Sequence, residues 1–453
     1  MLSKEDNELL CRVGPGTPMG ELMRQYWIPA LPSSEFAEPD GAPKRMRLLG
    51  ENLVMFRDTQ GRMGAMAESC PHRGASLYFG RNEECGLRCA YHGWKFDING
   101  DCLDLPTEPD DRRREAFRLK VKAKAYPCRD VNHMVWIYMG PRKEPPPLPV
   151  FEVNTLRADF VARPNIMMEE ANWLQNMEGD LDSAHLDWIH RRLTEDSPKP
   201  AVGIRGFWNP DKRPPRLDVV PTEYGAFYTA KRSLSEREEW HRINQFIFPF
   251  HSMITIGAPH VINLRSFVPI DDHHAMLISQ TGQTHQPIDE AASLMRANAF
   301  DEVGGYLERT NDPRSYFLTK ANKRNDFMRN REIEKESMFN GVPFVLNLQD
   351  RAMTELMCND DGEPIYDRTQ EHLGSSDAMV IAVRRQLLNA VLRLQDGGGV
   401  PANVDNVLLD RVRSASMRLP VGADWRKISE GARNADSGQP PASEVPLILE
   451  TVR

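Results

Sequence analysis

Between Cys70 and Trp94 the chain reads CPHRGASLYFGRNEECGLRCAYHGW, and this stretch narrows the possible folds more than any other. Cys70 and His72 form one short clamp, Cys89 and His92 a second, with a loop between them. In each clamp the thiolate comes first and the imidazole follows two or three residues later. Four such ligands could surround one tetrahedral zinc ion. Zinc spacings, however, usually keep the two cysteines together and the two histidines together. Mixed clamps suit a [2Fe–2S] cluster in which one iron takes two thiolates and the other two imidazoles. Gly74, Gly86 and Gly93 supply the backbone freedom to bring two loops onto one cluster, and Pro71 stiffens the first loop.

The flanks predict the scaffold for those loops. Residues 3–12 and 17–27 read as helices, the second with Thr17 as N-cap and Pro18 in its first turn. They would form an N-terminal helical arm over residues 1–43, docked through Leu22, Met23 and Trp27. From Lys44 the pattern changes to short alternating runs, with turn signals at Gly50-Glu51-Asn52 and Thr59-Gln60-Gly61. FDINGDCLDLP reads as a hairpin turning at Asn99-Gly100. An antiparallel β domain is therefore expected over 44–144, ended by the stiff run Pro145-Pro146-Pro147-Leu148-Pro149.

Residues 145–453 mix both textures, so the fold class is α+β. MMEEANWLQNMEGDLDSAHLDWIHRRL reads as one helix with acids early and arginines late. Residues 216–285 read as strands, and 285–340 as polar and mostly helical. SSDAMVIAVRRQLLNAVLRLQDGGG is a helix capped by Ser375 or Ser376 and ended at Gly397. The tail after Asn434 is rich in Pro and polar residues, a loosely held composition.

The net charge of −8 and the lack of a long basic run argue against nucleic acid or an anionic membrane as partner. No apolar run approaches the roughly 18–20 residues of a membrane span. The first residues lack the layout of a signal peptide. Cys11, Cys85, Cys102, Cys128 and Cys358 show no regular spacing, so they read as reduced thiols of a cytoplasmic protein. Cys85 is either a group close to the cluster or an ordinary buried thiol.

Asp182, His185 and His190 suggest a second metal, since two histidines and a carboxylate leave open positions on Fe(II). His185 and His190 lie about 140° apart on an ideal helix, so the helix must bulge or end if both bind one ion. Taken with the clamps and with Glu170-Ala171-Asn172-Trp173-Leu174-Gln175-Asn176-Met177-Glu178, these residues resemble the Rieske non-haem iron ring-hydroxylating oxygenases. Arg73-Gly74 and Gly93-Trp94 belong to the resemblance. MLSKEDNELLCRVGPGTPMGELMRQYW and GRNEECGLRCAYHGWKFD are most similar to the phthalate dioxygenase subgroup. Neither clamp has the extra Cys of respiratory-chain Rieske proteins.

The resemblance implies an all-β Rieske [2Fe–2S] domain followed by an α+β helix-grip (START-like) catalytic domain built on an antiparallel sheet. It implies a third ligand to the mononuclear iron, for which Asp350 fits better than Asp360, Asp361 or Asp377. Asp350 follows the strand-like VPFVLNL and would open a helix. Asp182 maps onto the carboxylate that links His92 of one subunit to His185 of the next in a homotrimer, which can stack as a hexamer. Asn172 and Trp173 would stand close behind the iron. Electrons would come from NADH through a separate flavin and iron–sulfur reductase, for the chain has no dinucleotide fingerprint of its own. The substrate implied is an aromatic carboxylate, oxidised with O₂ and held by Arg242, with Arg205 a second candidate. Phthalate itself is in doubt, because MITIGAPHVINLRSF departs from the expected pattern.

Three alternatives remain. A monooxygenase could use the same iron for O-demethylation or aryl-ether cleavage. A Rieske electron carrier with a binding domain would need no open-coordinate iron, and a zinc-stabilised binding protein would be colourless.

Overall fold

The computed structural model describes residues 2–194, 214–255, 260–289, 305–399, 401, 403–405 and 409–435. Lys4–Cys11 is a helix whose start is capped by the Ser3 hydroxyl, and Pro18–Arg24 a second capped by Thr17. The second helix stops short of residue 27. Pro29 and Pro32 cannot continue it, and Trp27–Pro32 instead forms a strand against Met134–Tyr138. Both helices pack on a long helix near the other end of the chain, Ala378–Gln395.

Three small antiparallel sheets follow. Trp27–Pro32, Met134–Tyr138 and Cys128–Val131 make one, and Lys44–Leu48, Glu51–Arg57, Met63–Ala67 and Ala125–Tyr126 make another. The third joins Arg81–Glu83, Gly86–Arg88, Lys95–Phe96 and Cys102–Asp104. The hairpin expected at Asn99-Gly100 forms, with Gly100 at φ +80°. A Cβ there would meet Ala123 O at 2.1 Å, so only glycine fits.

The second half is built on an eight-stranded antiparallel sheet. Its order is Asn165–Glu169, His274–Gln283, Val261–Asp271, His251–Met253, Glu238–Ile247, Gly225–Ser233, Arg216–Thr222, with Ala415–Pro420 also paired to Glu238–Ile247. Ala378–Gln395 lies on the Arg216–Thr222 and Gly225–Ser233 strands and buries Val380, Val383, Leu387 and Val391. Asp377, not a serine, closes its approach by accepting the Gly374 N–H at 2.6 Å. Gly397, at φ +70°, ends it.

Two expected helices differ. The segment 167–193 is not continuous: Asn165–Glu169 is a strand, Trp173–Leu181 a helix, and His185–Asp187 one 3₁₀ turn. Its start pairs with Ala275–Ser279 because Ile166, Met167 and Met168 are all buried. That burial outweighs the helix preference of Met and Glu. In 285–340 the helical pieces among the described residues are short, at Pro313–Ser315, Lys323–Met328 and Arg331–Glu336. Positive φ at Asp326, Phe327 and Met328 breaks the run, and Phe327 is buried there.

The halves are stitched together. Leu49 N–H donates to Pro269 O at 3.1 Å and Gly50 N–H to Ile270 O at 2.9 Å. One large core runs through both halves, and a smaller one lies under the clamps. Among the described residues no helix is long and apolar enough to cross a membrane.

Candidate metal centres

The clamps occupy loops of identical backbone construction. Cys70 N–H donates to Ala75 O and Gly74 N–H returns to Cys70 O, both at 2.8 Å. Cys89 N–H donates to Trp94 O at 2.8 Å and Gly93 N–H to Cys89 O at 2.9 Å. Gly74 and Gly93 both have φ +74°, which is why each loop carries glycine four residues after its cysteine. Cys70 and Cys89 are buried at the edge of the small core with Leu77, Leu87, Trp94 and Phe96. Burial, with Cys89 alongside, pushes the Cys70 thiol up to about 11. Such a thiol ionises when a metal compensates its charge.

The His72 ring stacks on Trp94 at 4.1 Å between centroids and meets His92 edge-on at 4.5 Å. Its Nδ1 is buried and makes no hydrogen bond. Ligands of one tetrahedral zinc lie about 3.3–3.8 Å apart, given metal–ligand bonds near 2.0–2.3 Å. No three donors of the clamps lie within 4.8 Å of one another. The set is too wide for one ion and fits a two-iron cluster, with the orphaned Nδ1 available as a ligand. Cys85 is not part of it. This residue sits half-buried in the turn Glu83–Gly86 at φ +61°, its N–H on Thr59 Oγ1.

The second site forms where the helix Trp173–Leu181 ends. Asp182 is its C-cap in extended conformation, so Asp182 and His185 do not share a helical face. Asp182 Oδ1 accepts the Ala184 N–H at 2.6 Å and turns the chain, while Oδ2 lies 3.5 Å from His185 Nδ1. The site's far wall is the helix Leu346–Thr354, on which Asp350 is internal rather than at the start. The expected strand before it does not form, since Leu346 to Leu348 already belong to the helix.

His190 Nε2 lies 3.1 Å and His185 Nε2 3.7 Å from Asp350 Oδ1, an atom with no hydrogen-bond partner. His185, His190 and Asp350 are the group of three potential ligands within 4.8 Å of one another among the described residues. Burial works against charge on Asp350, but His190 and His185 outweigh it and hold the carboxyl low. For His185, burial lowers the pKa while Asp182 and Asp350 raise it further. Two imidazoles, one carboxylate and an orphaned oxygen fit a divalent iron with open positions. Asp360 and Asp361 are exposed, and Asp377 is engaged with Gly374.

Residues that carried no sequence signature complete the site. Gln349 accepts from His190 Nδ1 at 2.8 Å and donates to Val342 O at 3.1 Å, which turns His190 Nε2 toward Asp350. Tyr228 O–H caps Leu181 O at 2.6 Å, and Arg232 donates to Ser183 O at 2.6 Å, fixing the turn to the sheet. Glutamine, tyrosine and arginine are too common for their roles to show in a single sequence.

Arg242 is on the strand Glu238–Ile247 and 3% exposed. Its one side-chain hydrogen bond among the described residues runs from Nη1 to Ser183 Oγ at 3.2 Å. Burial lowers its pKa, and its charge reaches His185. Arg205 lies outside the described residues. Asn172 is a correction: it caps the helix at Leu174 N–H, and its amide donates to Cys11 O at 2.9 Å and Asp272 O at 2.8 Å. Those contacts make it an anchor for the N-terminal arm rather than a group at the metal. Trp173 likewise donates to Leu10 O at 3.2 Å.

Comparisons with known proteins agree with both halves. Residues 26–127 match the Rieske [2Fe-2S] domain model and residues 137–444 the LigXa C-terminal domain like model. The chain is 36% identical to the 3-chlorobenzoate-3,4-dioxygenase oxygenase subunit of Comamonas testosteroni, over 95% of this chain and 98% of that protein. It is 35% identical to the phthalate 4,5-dioxygenase oxygenase subunit of Pseudomonas putida, over 94% of each. Among solved structures, the oxygenase of carbazole 1,9a-dioxygenase in complex with ferredoxin has the same fold, with a TM-score of 0.52 at 18% identity over 86% of this chain and 95% of that one.

Proposed function

The chain belongs to the Rieske non-haem iron oxygenases as a terminal oxygenase, and we propose that it oxidises an aromatic carboxylate held by Arg242 beside the His185–His190–Asp350 site. The family combines a Rieske [2Fe–2S] cluster with mononuclear iron and takes electrons from NADH through a reductase. When bound, the cluster supplies single electrons and the mononuclear iron supplies dioxygen activation. Cys70, Cys89, His72 and His92 would hold the first; His185, His190 and Asp350 would hold the second.

The observation that carries the substrate reading is Arg242, a buried guanidinium whose one partner among the described residues is the Ser183 hydroxyl. A buried cation without a carboxylate is costly, and a ligand carboxylate would complete it through a two-pronged contact. The two relatives above bear the names of substituted benzoate and phthalate enzymes, which supports the same substrate class. Asp182 orients the His185 ring and, in this reading, presents its carboxylate to His92 of a neighbouring copy in a homotrimer. Gln349 fixes the other ring, and Tyr228 with Arg232 holds the turn on which both histidines stand.

The test is oxygen and NADH consumption with a phthalate-type reductase across benzoates, phthalates and their methyl esters. Acids should be turned over and esters should not. Arg242→Gln should raise KM for the acids about 10–100-fold, the worth of a charge-assisted hydrogen bond of about 1.5–3 kcal/mol. Equal KM for acids and esters in the parent protein would sink the carboxylate reading.

A further inference from the structure

We propose that Glu169 stores a proton for the second metal site: it is a neutral acid before His185, His190 and Asp350 bind a divalent ion, and it releases its proton when they do. The inference rests on the reading that those three residues hold mononuclear iron. Glu169 ends the strand Asn165–Glu169 and lies opposite Ala275, which lies opposite Pro269. Side chains alternate along a strand, so Glu169 shares a sheet face with Arg265. Arg265 marks what that face meets. It pairs with Asp180 of the helix Trp173–Leu181 at 2.9 Å and donates to Asn347 of the helix Leu346–Thr354 at 3.1 Å. The first of these helices leads into the histidine turn, and the second carries Asp350.

Glu169 is 4% exposed, and its Oε2 is buried without a hydrogen bond. The charged groups acting on it are Arg351, Glu355, Arg265 and Asp180. Both cations are already taken. Arg265 has Asp180, and Arg351 has Glu355 and, at 2.6 Å, the Thr319 hydroxyl. Glu170, next in the chain, pairs with Arg324 and Lys323, and His274, beside Ala275, pairs with Asp271. A charge on Glu169 would therefore be buried with no cation of its own, which is costly, so the acid keeps its proton. Burial pushes Glu169 up to about 8; Glu355 and Asp180 add to the rise, while Arg351 and Arg265 oppose it.

The same charges bear on the metal ligands. Arg265 acts on Asp350 as well as on Glu169, and Arg351 follows Asp350 in the chain. Arg265 and Arg351 face three carboxylates, those of Asp180, Glu355 and Asp350, which leaves the group one negative charge. Asp182 and Arg242, which both act on His185, offset each other. A divalent ion turns that single negative charge into a single positive one. Loss of the Glu169 proton cancels it: the O–H bond breaks, its electron pair stays on the carboxylate and the proton passes to solvent. A bound cation is the largest local charge in such a site and favours the ionised form of an acid near it.

The probe is ferrous sulfate, added without air to full-length protein that keeps its iron–sulfur cluster but has lost its mononuclear metal to a chelator. Protons released are counted with an indicator dye in weak, neutral buffer. His185 can release a proton as well, so the readout is the difference between parent and variant. Glu169→Gln should release about one proton fewer per iron bound. From pH 6 to pH 7 the parent's Kd for iron should tighten about tenfold more than the variant's, the effect of one linked proton. In the infrared, the parent should show a protonated-carboxyl band that iron removes and that the glutamine variant lacks. Equal proton release by parent and Glu169→Gln overturns the proposal, as does a carboxyl band in the parent that iron leaves unchanged. Where the variant binds iron too weakly to count protons, the band in the parent decides. Iron binding by His190→Ala as tight as the parent's would instead sink the assignment of the ligands, so that either idea can fail alone.

Discussion

Gln349 shows how much of a metal site rests on one uncharged side chain. Its carbonyl oxygen fixes the Nδ1 proton of His190, and its own amide is fixed by Val342 O. Gln349→Leu should weaken iron binding about 10–100-fold, the usual cost of losing such a partner. Anaerobic iron titration checks this, and the cluster's absorption should not change. Affinity equal to the parent's would show that packing alone orients His190. His185, His190 and Asp350 were legible as residue types with a stated chemistry. Gln349 was not, because its role depends on a helix bringing position 349 beside position 190. Asn172 was misread for the opposite reason: its place within the motif suggested chemistry, while its hydrogen bonds go to backbone carbonyls.

Among elements, the paired loops make the sharpest contrast. Gly74 and Gly93 share φ +74°, but a Cβ at Gly74 would meet nothing within 4 Å, whereas one at Gly93 would meet Pro106 Cγ at 2.6 Å. Gly74→Ala should cost only the strain of a left-handed residue, about 1–2 kcal/mol, and keep its cluster. Gly93→Ala should add a collision and lose iron and sulfide, measured by chemical assay and visible absorption. Equal loading in both would mean that Pro106 moves aside freely. The loops were legible because turn chemistry is local. The break in 167–193 was not, since Met and Glu favour helix and only pairing with Ala275–Ser279, over 100 residues away, makes a strand there. That break is functional: ending the helix at Leu181 frees His185 and His190 from helical spacing and lets both reach Asp350.

For the whole molecule, the notable joint is the seat of the N-terminal arm on the rest of the chain. Asn172 connects Cys11 O, Asp272 O and the helix Trp173–Leu181. Asn172→Ala should cost about 2–4 kcal/mol, from a lost cap and two carbonyls left without their donor. Urea unfolding measures it, and iron content at both centres should be retained. Loss of iron with stability intact would restore Asn172 to the site. The same joint has a consequence for biosynthesis. Leu10, Leu22 and Met23 belong to helices that dock on Ala378–Gln395, which the ribosome makes long after them. At about 5–20 residues per second, the arm's greasy side waits tens of seconds for its seat. Nascent chains that stall before that helix should accordingly be clients of chaperones or proteases.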